Sequence, residues 1–379
     1  MRRVTALLAL VSLASACVPA SSPPPTTARP TAMPTTARPG GGSPCGDGIC
    51  RSPEDGANCP QDCAAASDQA PLADAPLFMT AMTHMEQGFD DDTNQAVFLL
   101  HVDQLRYGMD LFDAYGARMT VESEQPFARA NALWGLNIMA EIFDRGHGVG
   151  THCDIGFREP RMPVEEFASL LRENKELVDA LVGAEDNRGC SGAGGVNDWA
   201  LAAHQAGFEY LDGIVGMHYL AMPLSSRPDP TWTDDYIIQE AFHVEAPVDL
   251  EDRIYPFLVR DALDFEPDAD GVILVSSGGI GRLDCLVEHA QTGMQATGCP
   301  LAEDDVDALV ATILEIDEMR DRSRVAKITL YLPVGIFVPE NEDILRLFLA
   351  RTQDLAEQGV IEWATQAQVA DAYFARNLR

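Results

Sequence analysis

The sequence predicts an α/β protein whose main domain is a barrel, or a distorted barrel, of strands and helices. Three observations carry that expectation. From about Leu77 onward, apolar runs of strand length alternate with amphipathic stretches of helical period, the pattern of parallel strands joined by crossover helices. The number of such units over residues 77–379 suits a closed sheet, whose functional groups gather at the C-terminal strand ends. No glycine-rich phosphate loop follows the first strand-like run, which weighs against the runner-up, an open doubly wound sheet.

Each element has its own signal. "QAVFLLHVD" (Gln95–Asp103) reads as a buried strand, and "ARMTVESE" (Ala117–Glu124) as a second after a helix. "GHGVGTH" (Gly146–His152) leads into a third. "EEFASLLRENKELVDALVG" places Phe167, Leu170, Leu171, Leu177, Val178 and Leu181 at helical spacing. "GVILVSSGG", "AKITLYLPVGIF" and "GVIEWAT" read as further strands beside helices such as "DVDALVATILEIDEMRDR" and "NEDILRLFLARTQDLAEQG".

Ahead of this domain the composition changes three times. Residues 1–17 have a basic start (Arg2, Arg3), an apolar run and small residues, the pattern of an export signal too short to span a membrane stably. Ala14, Ser15 and Ala16 before Cys17 resemble the bacterial lipoprotein cleavage box, which implies lipidation of Cys17 and a lipid anchor in the membrane. An exported protein is expected, either anchored to the envelope or secreted. Residues 18–43 are rich in Pro, Thr and Ser, with too little apolar surface to offset their ordering entropy, and read as a disordered, extended stalk. Residues 44–64 hold Cys45, Cys50, Cys59 and Cys63, which in an oxidising compartment imply two disulfides of unspecified pairing. Asp47, Glu54, Asp55 and Asp62 in the same module are candidates for calcium, a hard cation that favours carboxylates.

The formal net charge is −33, from 59 acidic against 26 basic residues. No basic face is available to neutralise phosphates, so nucleic acid is excluded as a partner class. The acids read as a solvated surface.

Candidate chemistry centres on "GHGVGTHCDIG" (Gly146–Gly156) and the run before it. On the strand read at residues 95–103, period two puts His101 and Asp103 on one face at its C-terminal end. His152 ends another strand. Two imidazoles and a carboxylate make a site for a divalent first-row metal such as zinc. His218 and His243 are further candidates for an acid or a ligand. In an exported chain Cys153, Cys190, Cys285 and Cys299 are expected in disulfides. Cys285–Cys299 would close a short excursion, and Cys153–Cys190 would tie two strand-end loops at the mouth. His147 is expected to brace the turn before its strand.

The order "FLLHVDQ … LFDAYGARMTVESE … EIFDRGHGVGTH" resembles the opening of the polysaccharide deacetylase (NodB homology) superfamily, with Phe112, Tyr115, Gly116, Thr120, Gly146, His147, Gly150 and His152 in its frame. "GVNDWALAAHQAGFEYLDGIVG" and the closing "LAEQGVIEWATQAQVADAY" resemble later segments of it. The resemblance runs from Gln95 to Tyr373 with a long insertion around Met217–Glu266. It implies a distorted barrel that removes N- or O-acetyl groups from sugars through a metal held by one Asp and two His, and hence a glycan or cell-envelope polysaccharide as partner. It makes His152 one ligand and Asp103 either a ligand or the base.

The chain departs from that pattern. The second histidine, expected four residues after His152, is Gly156; the paired aspartates fall on Val102–Asp103 or Asp103–Gln104; and the late Leu-His that supplies the acid has no counterpart in "LYLPVGIF". His101 could fill the place left at Gly156, and His218 that of the acid. The expected activity is thus metal-dependent deacetylation of an acetylated glycan. The alternatives are an inactive descendant of the fold that binds glycan or envelope polymer, and hydrolysis of another C–N bond.

Overall fold

A computed structural model of the chain describes residues 74–86, 89–155, 159–292 and 297–377. Cys17, the stalk, Cys45, Cys50, Cys59, Cys63 and the calcium candidates lie outside the described residues, as does Gly156. The chain divides into Met1–Ala70 and Pro71–Arg379, and the fold described is that of the second unit.

Among the described residues, ten strands form one sheet. In chain order they are β1 (Leu77–Met85), β2 (Thr120–Ser123), β3 (Gly148–Cys153), β4 (Gly189–Gly192), β5 (Tyr210–Asp212), β6 (Phe257–Val259), β7 (Ile273–Val275), β8 (Gly279–Arg282), β9 (Ala326–Tyr331) and β10 (Glu362–Trp363). β1 pairs in parallel with β9 along one edge; on the other edge β10 takes its start and β2 its end. From β2 the sheet runs in parallel through β3, β4 and β5 to β7, where β6 adds an antiparallel strand. One bent segment brings the two ends together. Ser276 N donates to Leu211 O on the β5 side, and Thr329 N donates to Gly278 O on the β9 side, both at 2.7 Å. A chain that leaves one strand and joins another within three residues closes the sheet into a distorted barrel.

The strand expected at Gln95–Asp103 is not one. These residues open α1 (Gln95–Ala114), capped by Asn94, whose side chain accepts from Ala96 N. The buried positions Phe98, Val102, Leu105, Met109 and Phe112 follow the helical period, whereas Leu99 and Leu100, which made the run look strand-like, are 42% and 55% exposed. The first barrel strand is instead "LFMTAMTHM". The other readings hold: β2, β3, β7, β9 and β10 fall where expected. So do α4 (Val164–Val182), α7 (Glu303–Met319) and α8 (Glu342–Glu357), which follow α2 (Gln125–Leu133), α3 (Ile138–Asp144), α5 (Trp199–Ala206) and α6 (Leu286–Thr292) in the count, with α9 (Gln366–Asn377) last.

Period two sorts the strand residues into two layers. Met79, Ala81 and Met85, Val121, Val149, Ile328 and Leu330 face outward into one core with Phe98, Leu105, Leu309, Leu345 and Phe348 of the helices. Each large apolar side chain buried there contributes roughly 1.5–3 kcal/mol. The inward face is polar: Thr80 and His84, Thr120 and Glu122, Ser191, Asp212, Lys327 and Thr329. Thr80 and Thr329 share a 2.8 Å hydrogen bond across the interior. The alternating glycines of "GHGVGTH" make room for it. A Cβ on Gly148 would sit 2.4 Å from Thr120 Oγ1, and one on Gly150 would sit 3.0 Å from Glu122 Cγ.

Candidate metal centre

The inward faces of β1 and β3 end at the same rim of the barrel. His84 is the last inward residue of β1, Glu86 follows the strand, and His152 is the last inward residue of β3. One ligand atom from each of His84, Glu86 and His152 can be chosen so that all lie within 4.8 Å of one another. They open onto a cleft of about 850 Å³, also lined by Met82, Glu124, His243, Arg282 and Tyr331.

The imidazoles are held from behind. His152 Nδ1 is 2.8 Å from Ser191 Oγ, while its Nε2 is 3.5 Å from Glu86 Oε2. His84 Nε2 is 3.1 Å from Glu122 Oε2, and its Nδ1 is 3.9 Å from Glu86 Oε1. Tyr331 donates its hydroxyl to Glu86 Oε1 at 3.3 Å. Asn174 of α4 donates to the His152 carbonyl at 2.6 Å.

Electrostatics separates these groups. Burial, together with the neighbouring charge on His152, pushes His84 down to about 3. Burial also works against a charged His152, but the hydrogen bond and charge of Glu86, with Glu124 and Asp154, outweigh it and raise that imidazole to about 9. Glu86 moves the opposite way, to about 2: burial would raise it, and the hydrogen bond and charge of His152 prevail, with His84 adding to them. Glu124 has neither carboxylate oxygen hydrogen-bonded among the described residues, and burial raises it to about 8. His243 is lowered by burial to about 4.

Below the centre lies a sealed ionic layer. Glu122 and Asp212 are both fully buried. Burial and the Glu122 charge hold Asp212 well above the usual carboxylate range, and burial raises Glu122 as well. Lys327, also sealed, reaches the carbonyl of Ser276 and, at 2.8 Å, Gln366 Oε1. Burial lowers it to about 8 against the pull of Asp212, Glu122 and Glu245.

Of the residues expected from the sequence, His152 stands at this centre and His243 lines the cleft. His101 and Asp103 do not come to it, because their segment is helical. His101 is turned to Asp91 Oδ1 at 2.8 Å, and Asp103 is exposed on α1. His218 is buried with both ring nitrogens engaged, by Gly192 O and by Val215. His147 braces the start of β2, accepting from Met119 N at 3.3 Å. Cys153–Cys190 and Cys285–Cys299 are disulfides, as expected; the first joins β3 to β4 one residue past His152. The sequence reading missed His84, Glu86, Glu122 and Glu124. For His84 and Glu86 the signal is His-x-Glu across the end of a buried nine-residue run, where period two puts both ligands on one face.

Two imidazole nitrogens and a carboxylate oxygen, with an open side to a cleft, are the donor set of a divalent first-row cation. The residues present therefore fit such an ion.

No protein-family model matches the chain, and no curated protein matches it. Solved structures do, at low identity. PuuE allantoinase shares 12% identity over 81% of this chain and 95% of its own, with a TM-score of 0.50. A protein from Pseudomonas aeruginosa PAO1 described as a probable polysaccharide deacetylase shares 13% identity over the same shares of the two chains, also at 0.50. The 4-alpha-glucanotransferase from Thermococcus litoralis shares 15% identity over 78% of this chain at a TM-score of 0.43, and the chain spans only 38% of its length. At these identities the likeness establishes the fold: a mostly parallel α/β barrel of the deacetylase type.

Proposed function

We propose that the protein is a metal-dependent hydrolase that removes acetyl groups from a glycan, with His84, Glu86 and His152 as ligands for zinc. The observation that carries this reading is the convergence of those three side chains at the C-terminal rim of the barrel. The polysaccharide deacetylase among the solved structures of this fold gives the substrate class its support.

A divalent cation at this position lowers the pKa of water and polarises an acyl carbonyl. The chain's own residues supply the rest. Glu86 carries the anionic charge. Glu124, raised to about 8, is protonated at neutral pH and delivers its proton to the departing sugar amine or alkoxide. Tyr331 and Arg282 form one wall, with the Arg282 guanidinium 5.5 Å from the ring centroid. Tyr331 keeps Glu86 oriented through its hydroxyl, and both side chains offer donors to a polyhydroxy substrate. The assignment replaces the expected base at Asp103 with groups that line the cleft.

Export through the N-terminal signal and lipid attachment at Cys17 complete the proposal, placing the domain at the envelope. Mass spectrometry of the N-terminus of the mature protein tests that part.

The central test is acetate release from N-acetylated and O-acetylated oligosaccharides by the zinc-loaded protein. Release that disappears in His84→Ala, Glu86→Ala and His152→Ala supports the proposal. Stoichiometric zinc with no acetate from either substrate class overturns the deacetylase reading. Glycan binding without release would favour the non-catalytic alternative, which Gly156 in place of a second histidine supports.

A further inference from the structure

We propose that Glu245, on the wall of the cleft away from the metal ligands, binds substrate by accepting hydrogen bonds from the hydroxyls of a sugar ring. The substrate class this implies is an oligosaccharide. One unit presents its acetyl group at the metal centre, and a neighbouring unit is held by Glu245. The inference rests on the glycan reading above and deepens it.

Glu245 belongs to the long segment between β5 and β6. Its backbone bridges Val215, just past β5, and Ala246 N donates to Ile214 O at 3.1 Å. Its carboxyl lies against Gly279, the first residue of β8, where any Cβ would collide with Oε2. Strand β9 separates β8 from β1, and β4 separates β5 from β3. Glu245 and the metal ligands therefore line one cleft from different walls.

The carboxyl is unusual in having nothing to bond. Glu245 is 8% exposed, and among the described residues neither oxygen has a hydrogen-bond or ion-pair partner. Arg253 and Lys327 act on it only through their charge. Arg253 spends its donors on the carbonyls of Pro247 and Val248, and Lys327 on Ser276 O and Gln366. A buried acceptor without donors costs free energy that a ligand can recover. Positive charge is already supplied, so what the carboxyl lacks is hydrogen. Neutral hydroxyls provide it, whereas an ammonium group would meet the charges of Arg253, Lys327 and the cleft-lining Arg282.

The neighbours suit the rest of a sugar. Val215, Met217 and Phe242 line the same cleft, and Phe242 is half-buried. The C–H face of a ring can pack on them while its hydroxyl edge reaches Glu245. Small-molecule sites run to roughly 300–1,000 Å³, so a cleft of about 850 Å³ has room for more than one ring.

The test is calorimetry on the metal-free full-length protein, which binds without turnover, using tetrasaccharides of N-acetylglucosamine and of O-acetylated xylose. In Glu245→Met, which keeps the volume and removes the acceptor, we expect affinity lower by about 10–100-fold, with zinc affinity unchanged. Glu245→Gln keeps one acceptor oxygen and should lose only several-fold. Wild-type binding that Glu245→Met leaves unchanged overturns the assignment of Glu245 alone. A Glu245→Met protein that loses zinc in step with glycan also overturns it, since that marks a structural role. A wild type that binds neither tetrasaccharide overturns the glycan reading, and this proposal falls with it. Should Glu245→Met fail to fold, Glu245→Gln decides, and unchanged affinity there overturns the proposal.

Discussion

His84 lies ring over ring on His152, with centroids 4.0 Å apart and planes inclined by 19°. Two stacked imidazoles this close cannot both be charged, because each positive ring raises the cost of charging the other. The structure resolves this by burial and a single carboxylate. His84 stays neutral, and Glu86 keeps the proton on His152. A cation held by His84, Glu86 and His152 would compete with that proton.

The first prediction follows from the competition. With His152 raised to about 9 and Glu86 lowered to about 2, zinc binding at pH 7 should release about one proton per ion. Affinity should fall as pH drops below about 9, by roughly tenfold per unit. Calorimetry in buffers of different ionisation enthalpy measures the release. Binding with no proton exchange would place the ion elsewhere.

Ligand and non-ligand variants should separate cleanly. His84→Ala, Glu86→Ala and His152→Ala should each weaken zinc by more than the ~10–100-fold attributed to outer partners. Asp103→Ala and His101→Ala, on α1, should leave stoichiometry and affinity unchanged. Competition with a fluorescent chelator gives both numbers.

Glu124 gives a pH-dependent stability effect. Its pKa is raised from 4.5 to about 8, chiefly by burial. The folded state therefore holds the proton more tightly than the unfolded state. That contribution is complete below the unfolded value and is lost as pH rises through about 8. Glu124→Gln mimics the protonated form, so it should raise Tm by several degrees more at pH 9 than at pH 5. Thermal scans at the two pH values decide it. An equal shift at both would mean the carboxyl is solvated in the folded protein.

The Cys153–Cys190 bridge closes a loop of 37 residues, which corresponds to about 4 kcal/mol of chain entropy. The double Cys→Ser variant should lose stability of this order in denaturant titrations. It should also loosen the β3–β4 edge, seen as faster hydrogen exchange at Thr151 and Ser191.

Lys327 is sealed beside Glu122 and Asp212. Lys327→Met would remove the cation that faces the buried Glu122 and Asp212 carboxyls, at a cost of about 3–5 kcal/mol. Asp212→Asn replaces a carboxyl whose charged form burial already disfavours and should cost much less. Chemical denaturation of the pair tests both the charge assignment and its order.

Local sequence carries a good part of this protein. The alternation of strand and helix, the period of α4 and α8, His152 at the end of β3 and the pairing of the four domain cysteines all follow from spacing and compartment. Those signals are local, or depend on chemistry that holds in any fold. "QAVFLLHVD" shows the limit. Its consecutive apolar residues suit either a buried strand or a helix, and only packing against the sheet reveals that Leu99 and Leu100 point to solvent. "LFMTAMTHM" fails in the opposite sense. With both faces buried, polar and apolar positions do not alternate, so nothing local marks His84 as facing inward.

The centre itself was decided by tertiary structure. Its ligands come from strands joined through three helices and another strand, and Glu122 reaches His84 only because β2 lies between β1 and β3 with Gly150 beside it. The chain alone determines which residues can ligate. Strand order and register determine which of them meet, because a carboxylate and an imidazole act together only within a few ångströms, and that distance belongs to no single segment.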